Sequence, residues 1–379
     1  MFELDDDHLA FQESCRRFVR QMVLPYRDEA ERSGRFPTQL WPELARAGLL
    51  GLKHSESDGG KGGTNVALAL LAEELSMVSG GLAITVLVSA YMAAPHLSLF
   101  GSQELRERYL RPVLRGEMVS AIAVTEPGAG SDVAGMQTIA TQVADGYMLS
   151  GSKMFITNGG IADVIIVAAR TTTDERHSGI TMFAVEAGSP GLKASAPLDK
   201  MGWRSSDTRE LVFDQCFVPS DHVVGTVGRG FHQIMEAFQA ERIALAAMGV
   251  GLAQGALDEA LEWAKHRRAF GSSISSFQAV SHRLSEMSTA VASARLLTLQ
   301  AASRLDRGHP QAAEGVAMAK LYAARVANEV ADSAVQIFGG YGFMDETTAA
   351  MHYRDARVLR IGGGTDEIQM EILAKKMGL

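Results

Sequence analysis

The chain has 379 residues, and 46% of them are hydrophobic, which is enough for a large buried core divided among two or three domains. The formal net charge is −8, and acidic and basic residues alternate along the chain, which argues against nucleic acid as the main partner. No uncharged apolar run reaches the ~18 residues of a membrane-spanning helix, and the distant Cys15 and Cys216 favour free thiols in a reducing compartment.

Residues 1–116 have the pattern of a helical domain. The acidic N-terminus lacks the apolar segment of a signal peptide, so we expect a bacterial cytoplasmic protein. Asp5, Asp6 and Asp7 are suited to cap the first helix, and glycines predict a loop over residues 57–65. The predicted helices cover residues 5–22, 37–49, 64–77, 84–100 and 102–114.

Residues 117–226 change to a strand pattern, with β-branched and aromatic runs bounded by Gly, Pro and Asp. Asp145-Gly146, between two short apolar runs, signals a hairpin turn. The segment is therefore predicted to be a small, mainly antiparallel β domain. The predicted strands include residues 163–170, 180–185 and 211–219.

Residues 227–379 return to long, Ala-rich helical patterns. Long helices joined by short loops indicate an antiparallel bundle, and such a surface can also pair with copies of itself. The predicted fold class is α+β, mainly α. The predicted helices cover residues 230–265, 275–307, 310–337 and 366–377.

An acidic residue interrupts the apolar stripe of the first of these helices. A charged, unpaired carboxylate in an apolar seam is costly, and burial raises its pKa, which suits a proton acceptor near neutral pH. The alternatives are a salt bridge to Arg242 or to another helix, and a seam that faces water at this point. The stripe consists of Ile234, Phe238, Glu241, Leu245, Met248 and Leu252, at spacings of three and four.

Four further segments suit either a ligand or an ordinary turn. Residues 124–132 and 155–160 carry glycines and small polar residues, whose bare backbone can approach a flat or anionic ligand or form a tight turn. Residues 266–271 place two arginines at a helix C-terminus, where they complement the dipole or bind phosphate. Residues 338–342 form either a C-cap turn or a ligand contact. No Cys or His pair has metal-ligand spacing, so no metal site is predicted.

Three consecutive glycines, Gly362, Gly363 and Gly364, require an explanation because a bare backbone is entropically costly. They form either a loop that holds a phosphate or a place from which a side chain has been removed. Asp366 and Glu367 disfavour the phosphate, because both put negative charge in the first turn of the following helix.

The order of these segments resembles the acyl-CoA dehydrogenase family over nearly the whole chain. The resemblance implies an N-terminal helical domain, a β-barrel-like middle domain and a C-terminal four-helix bundle. It implies that FAD binds between the last two domains. It also implies that a base takes the α proton of an acyl-CoA while the β hydride passes to the flavin, and that electrons leave to electron-transfer flavoprotein. The motifs that carry the resemblance are VTEPGAGSD, FITNGG, MGWRSSDTRELVF, RRAFG, FQAV, AVQIFGGYGF, YRDARVLRI and GTDEIQ.

The resemblance also implies which residues bind the cofactor. Arg267 and Phe270 match positions that reach the FAD of a neighbouring subunit, so a homo-oligomer is implied, at least a dimer and most often a dimer of dimers. Phe155 stands where the family often has tryptophan. The implied FAD contacts are Val124, Thr125, Ser131, Phe155, Ile156, Thr157, Arg267, Phe270, Gln278, Gln336, Gly339, Gly340, Thr365 and Glu367.

The same resemblance explains the glycines. Many members carry their catalytic glutamate at the position of Gly363, so the usual base is absent here. A minority, resembling the isovaleryl-CoA and long-chain enzymes, place the glutamate just before an arginine on the first long helix after the β domain. Glu241 matches that position, and Arg242 follows it. Glu241 is therefore the predicted base, and the predicted substrate contacts are Ser131, Arg242, Gly363 and Gly364.

Three alternatives to an acyl-CoA dehydrogenase remain open. The first is a dehydrogenase of acyl groups on a carrier protein, the second a flavin oxidase or monooxygenase, and the third a non-catalytic FAD-binding relative. The acyl group is not determined, although Ser89, Met92 and Ala93 are predicted at the pocket floor.

Overall fold

Helices, then strands, then helices follow one another in the computed structural model, which describes residues 3–172 and 178–379. N-terminal helices begin at capping side chains: Asp5 accepts a hydrogen bond from the His8 N–H at 2.9 Å, and Thr64 accepts one from the Ala67 N–H at 3.1 Å. The helices before the first strand are α1 (Asp6–Phe18), α2 (Arg27–Ser33), α3 (Leu40–Arg46), α4 (Asn65–Val78), α5 (Gly80–Leu87), α6 (Ala94–Phe100), α7 (Gln103–Leu105) and α8 (Arg111–Leu114).

The helix predicted over residues 84–100 begins already at Gly80, because the Ser79 hydroxyl caps it by accepting from the Leu82 N–H at 3.3 Å. A short stretch of π-helix, Val88–Ala93, joins α5 to α6. Among the described residues, Gly80–Phe100 is long and apolar enough to cross a membrane, but 83% of its most apolar window is buried, as in a core helix. The absence of a membrane span stays a prediction.

The strands of the middle segment form one mixed sheet, in the order β6-β7-β3-β2-β4-β5-β8, with β1 parallel to β4. The strands β4 and β5 are buried on both faces, which is why their sequences are continuously apolar. One face, which includes Ile166 and Met182, packs on the helices, and the other, which includes Val167 and Phe183, packs on β3 and β7. The strands are β1 (Ser120–Ala123), β2 (Ile139–Val143), β3 (Gly146–Thr157), β4 (Val164–Arg170), β5 (Ile180–Glu186), β6 (Leu192–Ala194), β7 (Thr208–Pro219) and β8 (Val223–Val224).

The predicted hairpin lies between β2 and β3, but its loop is displaced by one residue. Val143 pairs with Gly146, so Ala144 and Asp145 form the turn. Gly146 is needed for another reason: a Cβ there would clash with the carbonyl oxygen of Val218 on β7.

The C-terminal helices are longer, and α4 of the N-terminal segment packs along the first two of them. The predicted fold class, α+β and mainly α, is confirmed. A helix that the pattern did not predict, Thr348–Arg357, begins where Thr347 accepts from the Ala350 N–H at 3.3 Å. The elements of this segment are α9 (Gly230–His266), β9 (Arg268–Ala269), β10 (Ser272–Ser273), α10 (Gln278–Asp306), α11 (Ala312–Phe338), α12 (Thr348–Arg357) and α13 (Asp366–Lys376).

Asp355, on α12, joins the three segments of the chain. Its carboxylate accepts from the Trp203 N–H at 2.6 Å, after the β6 strand, and from the Gly80 N–H at 3.1 Å, at the start of α5. Burial raises the pKa of Asp355 to about 7, against these hydrogen bonds. The junction fixes α12, and with it the chain that leads into the three glycines.

Candidate active site

Glu241 lies in the apolar stripe of α9, at the point where the stripe stops being fully buried. Ile234, Leu245 and Met248 are buried, whereas Phe238 and Glu241 keep part of their surface accessible. Within the described part of the chain, the Glu241 carboxylate has no hydrogen bond and no ion pair, which removes the salt-bridge explanation. Burial raises its pKa to about 7, although the charges of Arg242 and Lys320 oppose this. The carboxylate is therefore suited to accept a proton near neutral pH.

Arg242 is buried and points to the glycines rather than to Glu241. Its Nε donates to the carbonyl oxygen of Gly363 at 3.4 Å, and its guanidinium carbon lies 5.6 Å from the centroid of the Phe238 ring. Arg242 thus connects α9 to the glycine loop, residues 362–364.

The glycine loop places its missing side chain beside Glu241. Gly363 and Gly364 have φ values of 65° and 89°, which L side chains rarely adopt. A Cβ on Gly363 would clash with Leu245 Cδ1 and would lie 3.7 Å from Glu241 Oε1. Positions 241 and 363 therefore face the same space, and Leu245 is the side chain that leaves no room for a Cβ at 363.

Three side chains hold the carbonyl groups of Gly363 and Gly364: Arg242, as described above, Gln369 and Lys320. Gln369 Nε2 donates to the carbonyl oxygens of Gly363 and Gly364, at 3.2 Å each, and Lys320 Nζ donates to that of Gly364. Along the described ranges, the N–H groups of Gly363 and Gly364 have no acceptor. The Gly362 N–H donates to the carbonyl oxygen of Val358 at 2.8 Å, so the N–H groups that remain available to a ligand are those of Gly363 and Gly364.

The start of α13 contains the predicted contacts Thr365 and Glu367. Thr365 caps the helix by accepting from the Ile368 N–H at 3.3 Å, and Glu367 is exposed. Asp366 departs from the expectation that it repels anions, because it is buried and its carboxylate accepts from Arg325 Nε at 3.2 Å and Arg360 Nε at 2.9 Å. Its charge is therefore neutralised within the protein.

Two loops of the middle segment lie side by side at the predicted flavin contacts. The Met154 N–H donates to the carbonyl oxygen of Thr125 at 2.8 Å, which joins residues 124–132 to residues 155–160. An irregularity in the pairing of β3 with β7 accompanies the positive φ of Phe155, 61°, and leaves this ring 67% exposed. The neighbouring Ile156 is buried in the sheet core, so it can contact a ligand only through its backbone. Val124 is buried, Ser131 is exposed and Thr157 is half-buried.

A buried ion pair that the pattern did not reveal holds these loops. Lys153 Nζ lies 2.8 Å from Glu126 Oε1 and 3.1 Å from the carbonyl oxygen of Val124. Glu126 also accepts from the Gln137 and Thr138 N–H groups, at 2.6 and 2.9 Å. Burial lowers the pKa of Lys153 to about 8, and although burial also acts to raise the pKa of Glu126, Lys153 and the hydrogen bonds keep it below its ordinary value.

We expect Lys153→Met to destabilise the protein by about 3–5 kcal/mol, because it leaves the Glu126 carboxylate buried without its counter-ion. Urea unfolding followed by circular dichroism measures this loss. Lys193→Met removes the charge of an exposed lysine on β6 and is expected to change the free energy of unfolding by less than about 0.5 kcal/mol. Equal stability of the two variants would contradict the role assigned to the ion pair.

A surface groove contains three of the predicted contacts from the C-terminal segment. Arg267, Gly339 and Gly340 line it together, with the Arg267 guanidinium carbon 5.6 Å from the centroid of the Tyr341 ring. A Cβ on either glycine would meet no heavy atom within 4 Å, so the bare backbone leaves room for a ligand and relieves no internal crowding. The exposed residues Gln278, Gln336 and Phe270 are not part of the groove lining. Phe270 is 97% exposed.

The three residues predicted at the pocket floor are buried, but Ser89 is hydrogen-bonded to Ser120 within the protein. Ser89 Oγ accepts from the Ser120 N–H at 3.0 Å, and the Ser120 hydroxyl donates to the Ser89 carbonyl at 2.7 Å. These bonds join the π-helical stretch after α5 to β1. Met92 and Ala93 are buried beside it.

Comparison with known proteins identifies three domain families in chain order. Residues 5–117 match "Acyl-CoA dehydrogenase, N-terminal domain", residues 121–216 match the middle domain, and residues 228–378 match the C-terminal domain. The chain is similar to a short-chain-specific acyl-CoA dehydrogenase of Megasphaera elsdenii, with 38% identity covering 98% of each chain. It is 36% identical to a mitochondrial isovaleryl-CoA dehydrogenase of Solanum tuberosum, covering 98% of this chain and 91% of the relative.

A solved structure gives the same fold. It concerns the electron transferring flavoprotein of Acidaminococcus fermentans, and one of its chains superposes with a TM-score of 0.96 at 36% identity, covering 100% of this chain and 99% of that one. The predicted architecture of helical, β and helical domains is thereby confirmed.

Proposed function

The chain belongs to the acyl-CoA dehydrogenase family of FAD-dependent oxidoreductases that act on CH–CH bonds, and we propose that Glu241 is the base of its reaction. In this proposal the enzyme converts a saturated acyl-CoA to the trans-2-enoyl-CoA. The observation that carries it is the position of Glu241: an unpaired carboxylate whose Oε1 lies 3.7 Å from where a side chain on Gly363 would begin.

The residues predicted to hold FAD have side chains and backbone that are chemically suited to its flavin ring and its diphosphate. Phe155 offers an exposed ring beside the Thr125 loop, which suits a flat flavin, and the groove of Arg267, Gly339 and Gly340 offers a cation and bare backbone, which suit a diphosphate. Bound FAD supplies the acceptor of the β hydride, at flavin N5.

Removal of the α proton depends on Glu241 and on the glycine loop. The α proton of a thioester is a weak acid, and it becomes removable when hydrogen bonds stabilise the negative charge that develops on the carbonyl oxygen. Gly363 lies beside the base, since a Cβ on it would be 3.7 Å from Glu241 Oε1, and its N–H has no acceptor among the described residues. We therefore assign this N–H as a donor to the thioester carbonyl. Arg242 and Gln369 both hold the carbonyl of Gly363, which fixes the following peptide plane and with it the direction of the Gly364 N–H.

Partial burial gives Glu241 the basicity that the step needs. A carboxylate with an ordinary pKa is a weak base, and burial raises the pKa of Glu241 to about 7. Because the base is then largely ionised just above neutral pH yet more basic than an exposed carboxylate, it is matched to the operating pH of most enzymes.

We expect the rate constant of flavin reduction by substrate to rise with pH and to level off above an apparent pKa of about 7. The rate rises with pH because protonated Glu241 cannot accept the α proton. Anaerobic stopped-flow absorbance between about pH 5 and 9 measures the profile. Asp355→Asn is the control, because Asp355 is a second buried carboxylate with a pKa of about 7 and should not set this midpoint. A rate that falls as pH rises would contradict the assignment.

For the substrate we propose a short straight-chain or branched acyl group, as in the names of the two relatives described above. We also propose electron-transfer flavoprotein as the acceptor and a homo-oligomer, a dimer or a dimer of dimers, in a bacterial cytoplasm. The assignment of Glu241 as the base does not depend on any of these proposals.

A panel of saturated acyl-CoAs tests the function. The FAD-loaded protein is mixed anaerobically with short, branched, medium and long acyl-CoAs, and the visible flavin absorbance is followed. Bleaching by the short or branched members supports the proposal. No bleaching by any CoA ester, but bleaching by the same acyl groups on a carrier protein, would replace it with the carrier-bound reaction. Rapid oxygen consumption during turnover in air would indicate an oxidase.

A further inference from the structure

Lys320 is a buried cation in an apolar helix. Its side chain on α11 is 1% exposed, and its helical neighbours Ala317, Ala319, Ala323 and Ala324 are buried as well. Transfer of an ammonium group into such surroundings is costly unless strong interactions compensate. Burial accordingly lowers the pKa of Lys320 to about 8.

The hydrogen bond of Lys320 goes to the glycine loop. Nζ donates to the carbonyl oxygen of Gly364, which also accepts from Gln369 Nε2 at 3.2 Å. Lys320 has no ion pair within the described residues, so its charge is not matched by a carboxylate in direct contact. The amine therefore acts on the backbone of the loop in which, among the described residues, the Gly363 and Gly364 N–H groups have no acceptor.

The charges around Lys320 come from two other helices. The charges that act on it are those of Asp366 and Glu367 on α13 and of Arg242 and Glu241 on α9. Asp366 is already hydrogen-bonded by two arginines, Arg325 and Arg360, and Glu367 is exposed to solvent. Glu241 is thus the carboxylate of this group that is partly buried and yet has no hydrogen bond or ion pair within the described residues.

We propose that Lys320 is a positioning residue for the dehydrogenation: it holds the Gly364 carbonyl, which anchors the loop backbone next to Gly363, and it supplies positive charge near Glu241. The inference rests on the proposed role of Glu241. Lys320 then has two functions, because the ammonium group that holds the Gly364 carbonyl also favours the ionised form of Glu241.

The test uses Lys320→Met in the FAD-loaded protein. Methionine is close to lysine in size and removes the buried charge, so we expect folding and FAD content to be retained. The pKa of Glu241 is followed without turnover, through the infrared band of its protonated carboxyl group. Glu241→Gln identifies that band, which is required because Asp355 titrates in the same range.

The expected result is a rise of about one unit in the pKa of Glu241 in Lys320→Met, because a nearby cation no longer stabilises the carboxylate. At a pH below the pKa of Glu241 in both wild type and Lys320→Met, the rate of flavin reduction by acyl-CoA should then be about tenfold or more lower in the variant, since less of the base is ionised. At a pH above both pKa values, part of the loss in rate should remain, because the loop has lost the hydrogen bond from Lys320. Lys375→Met, which removes an exposed charge from α13, should leave both quantities unchanged.

An unchanged pKa of Glu241 in Lys320→Met would overturn the inference, whatever the rate does. Lys320→Arg is the second variant, and with the cation retained it should keep the wild-type titration; a rise equal to that of the methionine variant would also overturn it. Failure of the proposed function has a different signature, namely a wild-type flavin that no acyl thioester reduces. The infrared titration still decides the role of Lys320 in that case.

Discussion

Glu241→Gln is expected to slow reduction of the bound flavin by acyl-CoA by about 10²–10⁴-fold, while FAD stays bound. Glutamine keeps the size of the side chain but cannot accept the α proton. Gly363, the other position that faces this space, has no side chain to replace the base. The variant is mixed anaerobically with the best substrate, and the rate of flavin bleaching is compared with wild type after both are matched for FAD content.

Glu236→Gln is the matched control, because Glu236 is an exposed residue of the same helix and the substitution is the same. It should bleach at the wild-type rate. Normal bleaching in Glu241→Gln would mean that another group takes the proton. Loss of FAD from Glu241→Gln would instead show that the carboxylate supports the fold of the cofactor site, which contradicts its assignment as a base alone.

Gly363→Ala is expected to reduce the rate of flavin reduction by about 10–10²-fold, because a misplaced reacting group is costly even over short distances. The new Cβ would clash with Leu245 Cδ1 and take the space beside Glu241 Oε1, at a φ of 65° that alanine adopts with strain. Gly362→Ala is the control. Its Cβ would meet only the carbonyl oxygen of Val358, at 3.7 Å, and its φ is not in the left-handed region.

The double variant Gly363→Ala/Leu245→Ala separates the clash from the strain. Removal of the Leu245 side chain clears the position, so part of the lost rate should return. A Gly363→Ala variant that reduces its flavin at the wild-type rate would contradict the geometry of the site.

Local sequence patterns were sufficient to predict the long helices and three of the strands and to mark Glu241 as unusual, whereas its prediction as the base came from the family resemblance. The stripe on α9 identified Glu241 because a carboxylate is out of place at an apolar position of a regular helix. Lys320 has the same pattern among alanines, but lysine is a good helix former and its long stem can reach solvent, so its burial could not be predicted from one helix alone.

The remaining features depend on contacts between distant parts of the chain. The Lys153–Glu126 pair forms because β3 lies beside the loop after β1, and the Asp355 junction joins three segments. Gly146 was predicted from its turn tendency, whereas its close approach to β7 is what requires glycine. Such requirements arise from tertiary packing and leave no periodic signal in the sequence.

An isotope experiment decides whether the carboxylate of Glu241 removes the α proton. Wild type and Glu241→Gln, both loaded with FAD, are mixed anaerobically with a short acyl-CoA carrying either hydrogen or deuterium at the α carbon, and flavin bleaching is timed. Slower bleaching of wild type by the deuterated ester, with almost none in Glu241→Gln, is the predicted result. Bleaching of Glu241→Gln at the wild-type rate and with the same isotope effect would show that the base is elsewhere.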